Sequence, residues 1–251
     1  MEPSDWIEAA ENYQKEVGSV FDRDRKGLIR GHIKQHASLR KTCIDLGCGP
    51  GRFLPFLCSK FGQVHACDYS KEMLEQARQR VNAGNIDFER CDLRKHRPSS
   101  APTDVVLCVN TLLHPKLAAR EAMWRNLAGS IKRGGILILV VPSLESALYS
   151  RHRLVEWNLR SGIPAAKASR QSFDDTDPDA IHIAREGVMD AGGTETKHYL
   201  REEIESTAKR HRLQIESCEK LEYPWTTEFH QPPRWMKNPL PWDWLAVFRK
   251  T

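Results

Sequence analysis

Asp45, Gly47, Cys48, Gly49 and Gly51 stand in the run Cys43-Ile44-Asp45-Leu46-Gly47-Cys48-Gly49-Pro50-Gly51-Arg52, where an apolar stretch gives way to a helical pattern. Glycines at every second position let a backbone turn sharply and approach a ligand closely, since no Cβ intervenes. A helix starting just beyond offers unpaired N–H groups and the positive end of its dipole. The loop therefore predicts a site for something flat with a negatively charged end. A dinucleotide loop would place its third glycine at position 52, where this chain has Arg52. Downstream come Asp68 and Asn110, each closing an apolar stretch, and Asp92, just beyond the third strand, where such residues also serve as ordinary turn formers. His114 follows; its ring can take a proton near neutral pH, or simply hydrogen-bond at a strand-to-helix junction.

The elements that must position these residues follow from periodicity. Helical spacing marks 5–17, with Trp6, Ala9, Ala10, Tyr13 and Val17, and a second helix over 23–37. Strands are predicted at 42–46, 64–67, 86–88, 105–109 and 136–141. Between them lie helices carrying Leu54, Leu57 and Phe61, then Leu74, Ala77 and Val81, then Trp124, Leu127 and Ile131, the last ended by Gly134-Gly135. Pro55 is tolerated in a first turn, and Ser70 can cap the next helix. Uninterrupted alternation from 42 to 141 means α/β, a doubly wound parallel sheet. The rhythm then breaks: a helix at 145–160, a polar stretch, and a hairpin turning at Gly192-Gly193. It resumes with a helix at 200–211 and strands at 213–221 and 245–249, separated by a long aromatic loop.

The Gly-x-Gly-x-Gly spacing after Asp45, with acids closing the second and third strands, resembles the class I S-adenosylmethionine-dependent methyltransferases. The resemblance covers about 40–142 strongly and 199–221 and 244–250 more weakly. It implies a mostly parallel, seven-stranded, Rossmann-like sheet with S-adenosyl-L-methionine as cofactor. Asp45, Gly47, Cys48, Gly49 and Gly51 would form the cofactor loop. Asp68, beside Tyr69, would accept from the ribose hydroxyls, since one carboxylate can take two charge-assisted hydrogen bonds from a diol. Asp92, beside Leu93, would accept from the adenine amino group, and Asn110 would lie beside the methionine part. Tyr13 would close over the cofactor from an N-terminal helical cap, 1–40. The core would be 41–144 with 199–251, and 145–198 an inserted substrate lid. Arg25 or Arg30 would meet the methionine carboxylate, or remain a surface charge.

Such a cofactor carries its own leaving group, so the protein's task is to align a nucleophile with the methyl and exclude water. A base is needed only if the nucleophile arrives protonated, and His114 is the catalytic candidate. His198, Tyr223, Trp225, Glu228 and Trp235 are the candidate acceptor-binding residues, with His182 and His230 nearby in sequence. The tryptophans at 225, 235, 242 and 244 either line a cage for a cationic or aromatic acceptor or anchor a proline-rich loop. Asp175, Asp177, Asp179 and Glu186 sit at calcium-loop spacing, but Ala180 occupies the obligatory glycine position, so no metal is expected.

Composition bounds the rest. The 251 residues include 38 basic and 33 acidic ones, dispersed without a long polybasic run although Arg151-His152-Arg153 and Lys209-Arg210-His211-Arg212 form short basic patches, and seven cysteines without a Cys-x-x-Cys pair. No apolar run is long enough to span a membrane, and the first residues lack a secretory pattern, so a cytoplasmic protein is expected. The expected partner is a small-molecule methyl acceptor, receiving the methyl on N, O or S, rather than a membrane or a nucleic acid. An RNA or protein methyltransferase is the alternative; the Asn110-Thr111-Leu112-Leu113 run lacks the Pro-Pro-aromatic continuation of the amide- and amine-modifying branches. A non-catalytic cofactor binder and a nucleotide oxidoreductase complete the readings. Nothing in the sequence sets an oligomeric state.

Overall fold

Apolar runs become the middle of one sheet, because strands covered on both faces need no polar alternation. The structure, a computed structural model, describes residues 20–169, 186–190 and 194–251. Its strands are β1 (Thr42–Leu46), β2 (Gln63–Asp68), β3 (Ile86–Arg90), β4 (Thr103–Val109), β5 (Ile131–Pro142), β6 (Val188–Asp190), β7 (Glu195–Lys197), β8 (Leu213–Glu222) and β9 (Trp242–Lys250). Seven of them form a sheet in the order β3-β2-β1-β4-β5-β9-β8, and β6 and β7 pair separately. Only β9 runs against the others in the large sheet, pairing antiparallel with both β5 and β8. Its first residues therefore lie at the carboxyl edge, with Asp243 opposite Pro142.

The helices are α1 (Val20–Arg23), α2 (Leu28–His36), α3 (Leu54–Cys58), α4 (Lys71–Arg80), α5 (Leu117–Gly129), α6 (Leu144–Arg160), α7 (Ala165–Ala168) and α8 (Arg201–Arg210). Alternate strand residues feed two cores, as the two-residue period requires. Val105, Leu107, Ile138 and Val140 meet Ile29, Ile33, Leu57 and Ala77 on one face. Val106, Cys108, Leu137 and Leu139 meet Trp124, Leu127, Ile204 and Ala208 on the other.

Several expected boundaries move. The helix at 5–17 lies outside the described residues. The single helix expected at 23–37 is split into α1 and α2, because buried Asp24 accepts the Leu28 N–H at 2.6 Å and Gly27 between them has φ 66°. The third helix stripe ends early: α5 stops at Gly129, and Ile131 opens β5 instead of closing a helix. Ser130 makes that turn, its hydroxyl donating to Asn126 O at 2.8 Å and its carbonyl accepting from Thr103 N at 2.9 Å. Gly134-Gly135 then lies inside β5; a Cβ at Gly135 would stand 3.0 Å from the Asp104 carbonyl of the neighbouring strand. Trp242 and Trp244 belong to β9 and not to the loop before it. The hairpin strands form as expected, Asp190 opposite Glu195, with the turn itself outside the described residues. No helix among the described residues is long and apolar enough to cross a membrane.

Candidate functional site

β1 delivers the chain into the glycine loop at the carboxyl edge, and the loop's N–H groups are consumed internally. Gly47 and Cys48 both donate to Cys67 O, at 2.7 and 3.0 Å, and Gly49 donates to Asp68 Oδ2 at 2.9 Å. The helix beyond, α3, has only five residues and no side-chain cap. The expected cradle for a negatively charged end is therefore not built. Gly47 has φ +72°, and a Cβ there would sit 2.2 Å from Thr111 Oγ1. Gly49 has φ +51° and nothing within 4 Å of its missing Cβ. Gly51, at φ +77°, is a spacer: a Cβ would meet Ala77 Cα at 3.0 Å, where α3 leans on α4, and Gly51 does not line the cavity.

That cavity, about 260 Å³, opens over the carboxyl ends of β1, β2 and β4 and gathers Asp45, Cys48, Asp68, Tyr69, Asp92 and Leu93. Asp45 is 2% exposed, and its Oδ2 has no hydrogen-bond partner. Burial, followed by repulsion from Asp68, pushes its carboxyl up to about 7. Asp68 accepts from Gly49 N and Ser70 N, both at 2.9 Å; burial still holds its pKa above the ordinary value against those bonds. Asp92 is half-buried, which alone would raise it. Arg94, with Nε on Oδ1 and Nη2 on Oδ2 at 2.9 Å each, turns the net shift downward.

A cavity with acids and no amide nest suits a ligand that is cationic at one end and carries a diol. S-adenosylmethionine has both, and the residues present fit it. The buried, unpartnered Asp45 oxygen is the observation that decides this, since an anionic ligand there would be repelled. Arg52, where a dinucleotide loop has glycine, pairs with Asp22 of α1 at 3.3 Å and ties the loop to that helix. Arg30 is committed to Asp24, donating to its carbonyl at 2.7 Å, and Arg25 is exposed.

His114 and Asn110 also line the cavity. The His114 Nδ1 accepts the Lys116 N–H at 3.1 Å, and burial, then nearby Arg94, Lys116 and Arg120, lower its pKa. In the neutral ring the other nitrogen then carries the proton. His114 therefore faces its surroundings as a donor rather than a base. Asn110, at φ 48°, hydrogen-bonds through its side chain to Asp243 on β9. Asp243 also accepts the Tyr223 hydroxyl at 2.8 Å. Sequence reasoning missed Asp243, although a lone acid in the apolar run Trp242-Asp243-Trp244-Leu245-Ala246 was a visible signal.

The predicted acceptor residues are not brought together in this cavity. His198 sits between β7 and α8, its Nδ1 3.2 Å from Thr196 O, and burial drops it to about 4. Trp225 is buried, its indole donating to Lys237 O at 2.9 Å. Arg153 lies 5.6 Å from the Trp225 ring and 5.0 Å from Trp235, so these rings already hold a cation belonging to the chain itself. Glu228 and His230 are exposed. Tyr223 does not line the cavity; its hydroxyl donates to Asp243, the partner of the cavity-lining Asn110. Tyr13, His182, Asp175, Asp177 and Asp179 lie outside the described residues, and Glu186 pairs with buried Arg120 at 2.9 Å.

Residues 43–135 match the family model of a methyltransferase domain. Among curated relatives, trans-aconitate 2-methyltransferase of Azoarcus sp. (strain BH72) is 32% identical over 103 residues, 40% of this chain and 39% of that protein. The tRNA 5-carboxymethoxyuridine methyltransferase of Escherichia coli (strain K12) is 24% identical over 216 residues, 74% of this chain and 80% of that one. The chain spans 38% to 54% of the length of the trans-aconitate methyltransferases it matches. Burkholderia thailandensis 1,6-didemethyltoxoflavin-N1-methyltransferase, solved with S-adenosylhomocysteine, shares the fold at a TM-score of 0.60 and 13% identity, over 99% of this chain and 87% of that chain. The strand order, the acids around the glycine loop and the matched domain converge: residues 43–135 are similar to the methyltransferase domain family, and the sheet shares the fold of solved S-adenosylmethionine-dependent methyltransferases.

Proposed function

We propose that this protein moves a methyl group from S-adenosylmethionine to an N, O or S nucleophile of a small molecule, by in-line displacement. When bound, the cofactor supplies a sulfonium whose methyl is electrophilic without further activation. The chain's part is to bind, orient and exclude water. Asp68 would hold the ribose diol, Asp92 the adenine amino group, and Asp45 would offset positive charge. His114 would orient the acceptor as a donor. The observation that carries the reading is the set Asp45, Asp68 and Asp92 around one cavity whose glycine-loop amides are already satisfied.

The small-molecule part is supported by what stands over the carboxyl edge. α6 and the loop before β9 pack ring against ring, Tyr149 tilted against Trp225 at 5.8 Å and Trp157 edge-on to Phe229 at 6.0 Å, a contact that would narrow the approach. We assign 145–198 as the covering segment, anchored where Tyr199 donates its hydroxyl to Leu112 O at 2.6 Å. Seven free thiols, five of them buried, support a cytoplasmic setting. An RNA acceptor is the second reading, favoured by the long alignment with the tRNA-modifying relative.

The test is calorimetric titration with S-adenosylmethionine, S-adenosylhomocysteine and NAD. The first two are expected to saturate one site and NAD to show no heat. Binding of NAD without S-adenosylmethionine overturns the proposal.

A further inference from the structure

Asp243 is the first residue after Trp242 on β9, and the antiparallel run of that strand puts it at the carboxyl edge, opposite Pro142 of β5 and Leu221 of β8. Two donors converge on its carboxylate: the Tyr223 hydroxyl, at 2.8 Å, and the side-chain amide of Asn110. An amide donates only through its nitrogen, so this bond fixes the whole amide plane and sets the carbonyl oxygen at the opposite corner. Asn110 lines the cavity; Asp243 does not. We propose that Asp243 is a positioning residue, which through Asn110 turns an amide oxygen toward the cavity as the acceptor for the ammonium group of the bound cofactor. This rests on the cofactor reading above and adds to it a residue from the far side of the sheet.

A pH dependence follows. Loss of water pushes Asp243 up to about 7; the Tyr223 bond, repulsion from Glu228, the Asn110 bond and attraction from Arg23 act on it in turn. Ionised, it accepts from both neighbours. Protonated, it gains an O–H that competes for the amide oxygen, and Asn110 loses its orientation. By linkage, cofactor affinity should fall as pH drops through the neutral range.

S-adenosylhomocysteine is the probe, since it carries the same ammonium and binding needs no methyl acceptor. Asp243→Asn should weaken its binding about tenfold at roughly pH 8, as for one lost bond to a charged group. It should also show a shallower pH slope than the parent. Asp45 contributes a slope of its own, so the comparison is between proteins. Asn110→Ala should weaken binding similarly, with the same shallow slope, and it keeps the test open if Asp243→Asn does not fold. The double variant should bind no worse than Asn110→Ala alone, because Asp243 acts only through that amide. Multiplying effects, or an unchanged slope in either single variant, overturn the inference while leaving the cofactor reading intact. Failure of the parent to bind S-adenosylhomocysteine at any pH overturns both.

Discussion

Each acid around the cavity has its own energetic signature. Asp68→Ala removes the proposed ribose acceptor together with the partner of Gly49 N, and should weaken S-adenosylmethionine by about 1.5–3 kcal/mol in calorimetry. Unchanged affinity would mean that the contact is misassigned. Asp45 makes a stability statement. Its folded pKa, about 7, lies above the ordinary value of 3.8, so the folded state holds a proton that the unfolded chain releases. That contribution is fully present at acidic pH below the unfolded value and is lost as pH rises through the folded one. Asp45→Asn should therefore make the ligand-free protein more stable near neutrality, by roughly 1–4 kcal/mol at about pH 8, and flatten the decline. Urea unfolding across that range is the measurement, and an Asn variant with the parent's slope would refute the assignment. Gly47 is constrained twice, by φ +72° and by Thr111 at 2.2 Å. Gly47→Ala should cost about 1–3 kcal/mol of stability. Thr111→Ala should restore only part of it, because the Thr111 Cβ is itself 2.9 Å away.

Between elements, legibility depended on how local the signal was. β1, α4 and α6 could be read because each carries its own periodicity and, in the last two, a serine cap: Ser70 accepts from Met73 N and Ser143 from Ser146 N. The start of β5 could not, since Ile131 continues the Trp124–Leu127 helical stripe equally well and only pairing with Thr103 decides. Asp45, Asp68 and Asp92 were legible because strand ends in an alternating α/β pattern must share an edge. The acceptor side was not. Asn110, Tyr223 and Asp243 meet only through sheet order, and the tryptophans' cation is Arg153 from another element. That contact gives a prediction at this scale. Arg153 is largely buried among Tyr149, Trp225 and Trp235, so Arg153→Ala should lower stability by about 1–3 kcal/mol through lost packing and cation–π contact. Cofactor affinity should be unchanged. A weakened cofactor with unaltered thermal unfolding would instead place Arg153 in the binding site.

For the whole molecule, the question is which partner its charge invites. Net charge is +5, but the basic run Lys209-Arg210-His211-Arg212 precedes β8 and so lies at the amino edge, away from the cavity. Arg210 there is paired with Glu121 at 2.9 Å. At the carboxyl edge, Arg94 is bound to Asp92, Arg52 to Asp22, and Arg153 is enclosed by rings. A nucleic acid reaching the methyl group would need a continuous row of phosphate-binding cations beside the cavity, and its affinity would fall steeply with salt. The small-molecule reading therefore predicts that tRNA binds weakly, if at all, and that S-adenosylhomocysteine affinity at about 0.05 M and about 0.3 M salt differs by less than roughly threefold. It also predicts that saturating tRNA leaves that affinity unchanged in a calorimetric competition. Tight, salt-sensitive tRNA binding that alters cofactor affinity would reverse the order of the two readings, because the coupling would put the nucleic acid over the carboxyl edge rather than on the distant basic run.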